Sequence, residues 1–188
     1  MPTYHTSIHH DICTKQPRLI ITKMDIIDNN LTVIDKNSLE EISGILNADL
    51  YKTAFFDIET TGLSREYSML YLAGFVYFSD NCWKYRQFLA EDEDDEFRTL
   101  LAMREFMKKF SLLITFNGES FDLPFINARY EKYNIKAGIP ESFDIYRYLR
   151  PFKSLLALPN LKQKSVEKFL NIEREDKMNG GELIDVYY

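Results

Sequence analysis

Residues 53–59 read TAFFDIE, and an extended chain sends successive side chains to opposite faces. Phe56 and Ile58 then lie on one face, and Phe55, Asp57 and Glu59 on the other. Apolar side chains on both faces need cover on both, so this run is a central strand, packed on each side, as in an α/β domain. The two carboxylates constrain it further. Side by side on one face, about 7 Å apart by strand geometry, they repel one another unless protons or cations intervene, and on a central strand they cannot both turn away into water. Divalent magnesium or manganese, which favour oxygen ligands, resolve that conflict. A D-x-E pair also occurs on exposed edge strands, where alternating acids keep the edge soluble; the apolar frame here argues for the interior.

The remaining pattern supplies the other layers. Residues 69–78 and 83–89 are aromatic-rich strands joined by Ser79, Asp80 and Asn81, which is hairpin chemistry. Residues 97–110 fit an amphipathic helix with Leu100, Leu101, Phe106 and Phe110 turned inward. The acidic run 91–96 before it reads as a solvated loop whose carboxylates favour the helix N-terminus, rather than as a metal site. Residues 112–116 form a short buried strand, 121–133 a helix with Pro124 in its first turn, 142–145 a further strand and 160–170 a last helix. Upstream, 18–33 is weakly strand-like and 38–46 helical, with Ser38 and Glu41 spaced as a capping box. The expectation is a mixed-sheet α/β domain over 51–188, preceded by an N-terminal arm and short extension over 1–50.

Composition sets the outer limits. A chain of 188 residues, 45% hydrophobic and 14% aromatic, can bury one sizeable core. Its longest apolar stretches are too short for a membrane-spanning helix, which needs roughly 20 apolar residues. Nothing at the N-terminus resembles a charged-then-apolar secretion signal, and Cys13 and Cys82 stand far apart in no CxxC arrangement, so a cytoplasmic location is expected. The net charge of −6 argues against a protein that grips long duplex through clustered Lys and Arg. It leaves room for an enzyme whose bound cations neutralise a phosphate. His5, His9, His10, Asp11 and Cys13 gather near the N-terminus, and His5 and His9 would share a helix face. Without paired ligands on a framed loop, a polar tail is the better account of them.

A third acid completes the pattern. In LITFNGESFDLPFI, residues 113–126, a buried strand ends in Asn117 and Gly118, and Asp122 sits in the first turn of the next helix. On its own it would be an acid favoured by the helix dipole. Together, DIETTGL (57–63) and FNGESFDLPFI (116–126) resemble the first two motifs of the DEDD, or DnaQ-like, exonuclease superfamily. Those are ribonuclease-H-like nucleases that include the proofreading subunits of DNA polymerases. With FNG before the FD, and LKQKSVEKFLNIERED (161–176) farther on, the chain resembles the YprB-like branch of bacterial predicted exonucleases over roughly residues 52–188.

This resemblance implies a ribonuclease-H-like mixed five-stranded sheet with helices on both faces, and two magnesium or manganese ions at a carboxylate cluster. Asp57 would bridge both ions, Glu59 would hold one and Asp122 would support the other, these three being the catalytic and metal-binding residues. The implied reaction is 3′-to-5′ hydrolysis of phosphodiester bonds at the end of single-stranded DNA or RNA. Leu63 and Phe121 would pack on the terminal bases, while Thr61 and Asn117 would hold the end nucleotide. For Leu63, a competing role is that of a loop anchor in the core. The superfamily's third motif, a His or Tyr four residues before a final metal-binding Asp, does not occur, since Asp176 and Asp185 follow Ile172 and Gly181 at that spacing. The expectation is therefore that the C-terminal helix and last motif are truncated and that the chain is nearly inactive. Asp144 is either a family feature of the strand near the site or a cap for the next helix. Two rivals remain: a nucleic-acid-binding module of the same fold without turnover, and a scaffold domain. Three acids around one pocket favour the enzyme over both.

Overall fold

A computed structural model describes residues 7–10, 41, 43–80 and 82–172. The described chain runs β1 (Ser7–His10), β2 (Thr53–Thr60), β3 (Leu70–Ser79), β4 (Cys82–Leu89), α1 (Glu93–Met107), β5 (Leu112–Thr115), α2 (Asp122–Lys132), β6 (Glu141–Asp144), α3 (Ile145–Leu149) and α4 (Gln163–Phe169). The sheet order is β1-β4-β3-β2-β5-β6. Strands β2 to β6 make the expected ribonuclease-H-like mixed five-stranded sheet: β2, β3 and β4 are antiparallel, and β5 and β6 run parallel to β2. Strand β1 adds an antiparallel edge to β4, with Ser7 opposite Phe88 and His10 opposite Tyr85. An edge strand is held by backbone pairing, which leaves no periodic signature to read. His9 and His10 are thus extended rather than helical, and the rest of that group lies outside the described residues, as do 18–33 and Ser38.

Strand β2 has the two-sided cover that TAFFDIE demands. Ala54, Phe56 and Ile58 are buried, and Phe55 packs against Trp83 with ring centres 6.0 Å apart. Phe75 on β3 is the hub of the core, its ring centre 4.7 Å from Phe56, 5.8 Å from Phe88 and 5.3 Å from Phe106. Such aromatic pairs add about 0.5–1.5 kcal/mol each beyond their buried area. Leu100, Met103, Phe106 and Met107 bring α1 onto this cluster. Leu101, expected inside, is exposed, because it falls one position off the stripe of 100, 103 and 107.

From Glu93 onward the acidic run is helix rather than loop. Helix α1 begins at Glu93, since the Asp92 side chain accepts from Asp95 N at 2.8 Å and caps it. Glu96, in the first turn, is fully buried. Its Oε1 accepts from Leu70 N at 2.8 Å and Arg129 Nε at 2.7 Å; its Oε2 accepts from Arg129 Nη2 and, at 2.8 Å, from the Tyr133 hydroxyl. Arg129 is buried as well, so this pair joins α1, α2 and the start of β3. Burial disfavours the guanidinium charge, yet the Glu96 carboxylate outweighs it and raises the Arg129 pKa. Desolvation, and then the bond to Glu96, pushes the Tyr133 phenol up to about 12.

Taking Arg129 away would strand a buried carboxylate. Arg129→Ala is therefore expected to lower the unfolding free energy by about 3–5 kcal/mol in urea denaturation, while Glu105→Ala at the exposed Glu105 and Lys108 pair leaves the midpoint in place. Because the Tyr133 pKa lies above its ordinary 10.0, the stability it adds is complete below pH 10.0 and fades as pH rises towards about 12. The gap in melting temperature between the wild type and Tyr133→Phe should close over that window.

Candidate active site

Strand β5 accompanies β2 only as far as Phe55 opposite Ile114, and it ends at Thr115. The chain turns there through 116–121. Asn117 takes a left-handed backbone with φ 66°, which Asn tolerates better than most residues. At Gly118 a Cβ would stand 2.6 Å from the Thr115 Cβ, so only glycine fits without a shift. This turn starts α2 beside the second half of β2, and Asp122 Oδ1 accepts from Ile58 N at 3.1 Å. Ile58 lies between Asp57 and Glu59. The third acid is thus held at the backbone unit between the first two, with Glu59 and Asp122 each 5% exposed and Asp57 half-buried. Across β3 the neighbour of Asp57 is Gly74, which adds no side chain to that face. The pairing then shifts register, Glu59 lying opposite Leu72 but Thr60 opposite Leu70. Irregularities of this kind re-aim side chains at a strand end.

The loop after β2 is pinned at its base and on its far side. Thr61 N donates to Met69 O and Thr61 Oγ1 accepts from Met69 N, both at 2.9 Å. Arg129 Nη1 donates to the carbonyls of Arg65 and Glu66 at 3.4 and 3.3 Å, and Arg65 Nη2 donates to Ser120 O at 3.1 Å. Leu63 on this loop is 85% exposed, which rules out the core-anchor role. Phe121 is half-buried at the start of α2, its ring centre 5.6 Å from Phe125. Arg65 and Arg129 escaped the sequence reading. Arg129 carries a signal nonetheless: 122, 125, 126 and 129 form one helical stripe, and an Arg on a buried stripe needs a partner.

Asp144 closes β6 and organises the turn. Its Oδ1 accepts from Asn117 N at 3.2 Å and Arg147 N at 3.0 Å, and its Oδ2 from Glu119 N at 2.9 Å and Thr115 Oγ1 at 3.3 Å. Both oxygens face the chain's own donors, so Asp144 caps α3 and holds the turn that carries Asn117. Glu119 in turn accepts from Arg147 Nη1 at 2.6 Å.

A set of three carboxylates has the donor chemistry of a hard divalent cation. Among the described residues, however, no group of three or more His, Cys, Asp or Glu side chains is arranged to hold a metal ion. Asp122 reaches the peptide unit of β2 that Asp57 and Glu59 flank in sequence. Asp176 and Asp185 lie outside the described residues.

The family model of the RNase_H superfamily matches residues 54–188. Among solved structures, the chain is similar to the family B DNA polymerase from the hyperthermophilic archaeon Pyrobaculum calidifontis, at a TM-score of 0.58 and 15% identity over 72% of this chain and 20% of that one. It is also similar to E. coli exonuclease I in complex with a dT13 oligonucleotide, at a TM-score of 0.52 and 14% identity over 72% of this chain and 38% of that one. At these identities the likeness is one of fold, and the chain spans well under half the length of either protein. No curated protein matches the sequence.

Asp144→Asn turns one acceptor oxygen into a donor facing backbone N–H groups. Thermal stability is expected to fall by about 1–3 kcal/mol, equally with and without manganese. A manganese-induced rise in melting temperature that vanished in this variant would instead make Asp144 a metal ligand.

Proposed function

Because the chain belongs to the RNase_H superfamily, we propose that it is a nuclease that removes nucleotides from the 3′ end of single-stranded DNA or RNA, with Asp57, Glu59 and Asp122 holding magnesium or manganese. The observation that carries this reading is the bond from Ile58 N to Asp122, which delivers a third carboxylate to the peptide unit flanked by Asp57 and Glu59. Divalent cations, when bound, would neutralise the scissile phosphate and activate water for in-line attack. The residues around the acids would then place the strand end. Leu63, exposed on its pinned loop, offers an apolar side chain to the last base, and Phe121 offers a ring held from behind by Phe125. Thr61, whose hydroxyl proton is left to donate after its oxygen accepts from Met69 N, and Asn117, set by its left-handed turn, would hold the end nucleotide. Exonuclease I, solved with a dT13 strand, shares the fold. No helix among the described residues is long and apolar enough to cross a membrane, and work on nucleic acid suits a cytoplasmic protein.

Turnover by these 188 residues alone is expected to be slow. Neither Asp176 nor Asp185 follows a His or Tyr at the family spacing, and general-base assistance is typically worth about 10²–10⁴ in rate.

Asp57→Asn should abolish release of nucleotides from an end-labelled single-stranded oligonucleotide in manganese, with an unchanged circular dichroism spectrum. Removing one of two neighbouring like charges should also raise the melting temperature without metal and shrink the rise that manganese induces. Wild-type turnover in this variant would dismiss Asp57 from the site. Binding of the oligonucleotide by the wild type without hydrolysis in any divalent cation would leave a binding module of the same fold.

A further inference from the structure

We infer that the unit following β6, residues 145–168, is the track along which an unpaired strand reaches the site, with bases on Tyr148 and Phe152 and phosphates on Arg150 and Lys153. This inference rests on the nuclease reading above.

Charge singles this unit out. The whole chain carries a net −6, yet residues 145–168 hold Arg147, Arg150, Lys153, Lys162, Lys164 and Lys168 against Glu167 alone. A polyanion is repelled by an acidic surface and drawn to the segment that reverses its sign. Ring geometry points the same way. Tyr148 packs on both Phe143 and Phe152, with ring centres 5.4 and 5.8 Å away, and Tyr148 and Phe152 are 56% and 41% exposed. Aromatic rings exposed among cations are the arrangement on which unpaired bases stack while their phosphates meet Lys and Arg. Position joins the unit to the acids. Strands β5 and β6 run parallel to β2, so the C-terminal ends of all three share one edge of the sheet. Glu59 and the turn that leads to Asp122 are on that edge, and residue 145 begins there.

The unit is also fixed to the site. Leu158, Leu161 and Val166 pack with Phe116 and Tyr146, so the track is seated on the residue just before Asn117. Asp144 binds the N–H groups of Asn117, Glu119 and Arg147 together, and Arg147 grips Glu119. A strand lying on this unit would be held in register with the acids by side chains that touch neither metal nor scissile bond. The occupant is single-stranded, because duplex bases present no free face to a ring.

The test uses fluorescence anisotropy of the 188-residue chain with a labelled single strand of about 15 nucleotides and its duplex, in EDTA, so that hydrolysis plays no part. Tyr148→Ala and Phe152→Ala should each weaken single-strand binding about fivefold or more and leave duplex binding as it was. Arg150→Ala with Lys153→Ala should make the slope of log affinity against log salt shallower by about 1.4, at about 0.7 for each phosphate no longer neutralised. If the ring variants melt early, the charge pair, which is exposed, carries the test alone. Wild-type binding with unchanged affinity and slope in the variants, or equal losses on duplex, overturns the track and leaves the nuclease reading standing. A wild type that binds no strand in EDTA overturns the track as well, while the nuclease reading, whose cations EDTA removes, is judged by hydrolysis in manganese.

Discussion

Strand β2 outruns β5, and the N–H of Ile58, buried beyond the last residue that β5 pairs, is met by the Asp122 carboxylate at 3.1 Å. A buried N–H left without an acceptor costs about 1–3 kcal/mol, and a charged acceptor makes the stronger bond. The fold therefore has its own use for an acid at 122. Asp57 and Glu59 stand two apart on the same strand, where like charges repel one another. The peptide unit at Ile58 is thus where α2 is joined to β2, and it is the centre of the proposed site.

The electrostatics follow from that centre. An acidic cluster on an acidic chain repels nucleic acid, and bound cations can reverse the sign only at the cluster itself. The rest of the approach needs fixed positive charge, and the sequence concentrates it after β6. Acid and base are thus segregated along one edge of the sheet. Asp144 stands at the boundary, committing both oxygens to the chain so that its charge is answered by hydrogen bonds rather than by a metal.

Much of this was legible in the sequence, wherever a period or a run carries the information. TAFFDIE has apolar residues on both faces because β2 is interior, and the acids at 57 and 59 share a face because the strand period is two. The acidic run 91–96 misled because a carboxylate near a helix start can be solvated, capping or buried, and composition does not separate these. Phase does: Glu96 is in register with Leu100, Met103 and Met107, all buried. Strand β1 left no trace, since an edge pairs through its backbone. The bond from Ile58 to Asp122 depends on where β5 stops, a tertiary fact no local pattern encodes. Asp144 was half legible, as a cap, while its hold on Asn117 and Glu119 spans the turn and stayed hidden.

Helix α2 ties the acids to the loop beside them. It carries Asp122 at one end and Arg129 two turns on, about 10 Å away at 1.5 Å per residue. Asp122 binds β2 near its C-terminal end, and Arg129 holds the carbonyls of Arg65 and Glu66 on the loop that β2 leads into. One rigid element thus sets both the third acid and the loop that presents Leu63. Replacing a buried ion pair with apolar groups is often neutral or better for stability alone, so stability is a weak reason for Glu96 and Arg129. The loop carbonyls supply a stronger one. An apolar pair could fill the same volume, but it could not donate to Arg65 O and Glu66 O, and the loop would lose its reference to the helix that positions the acid.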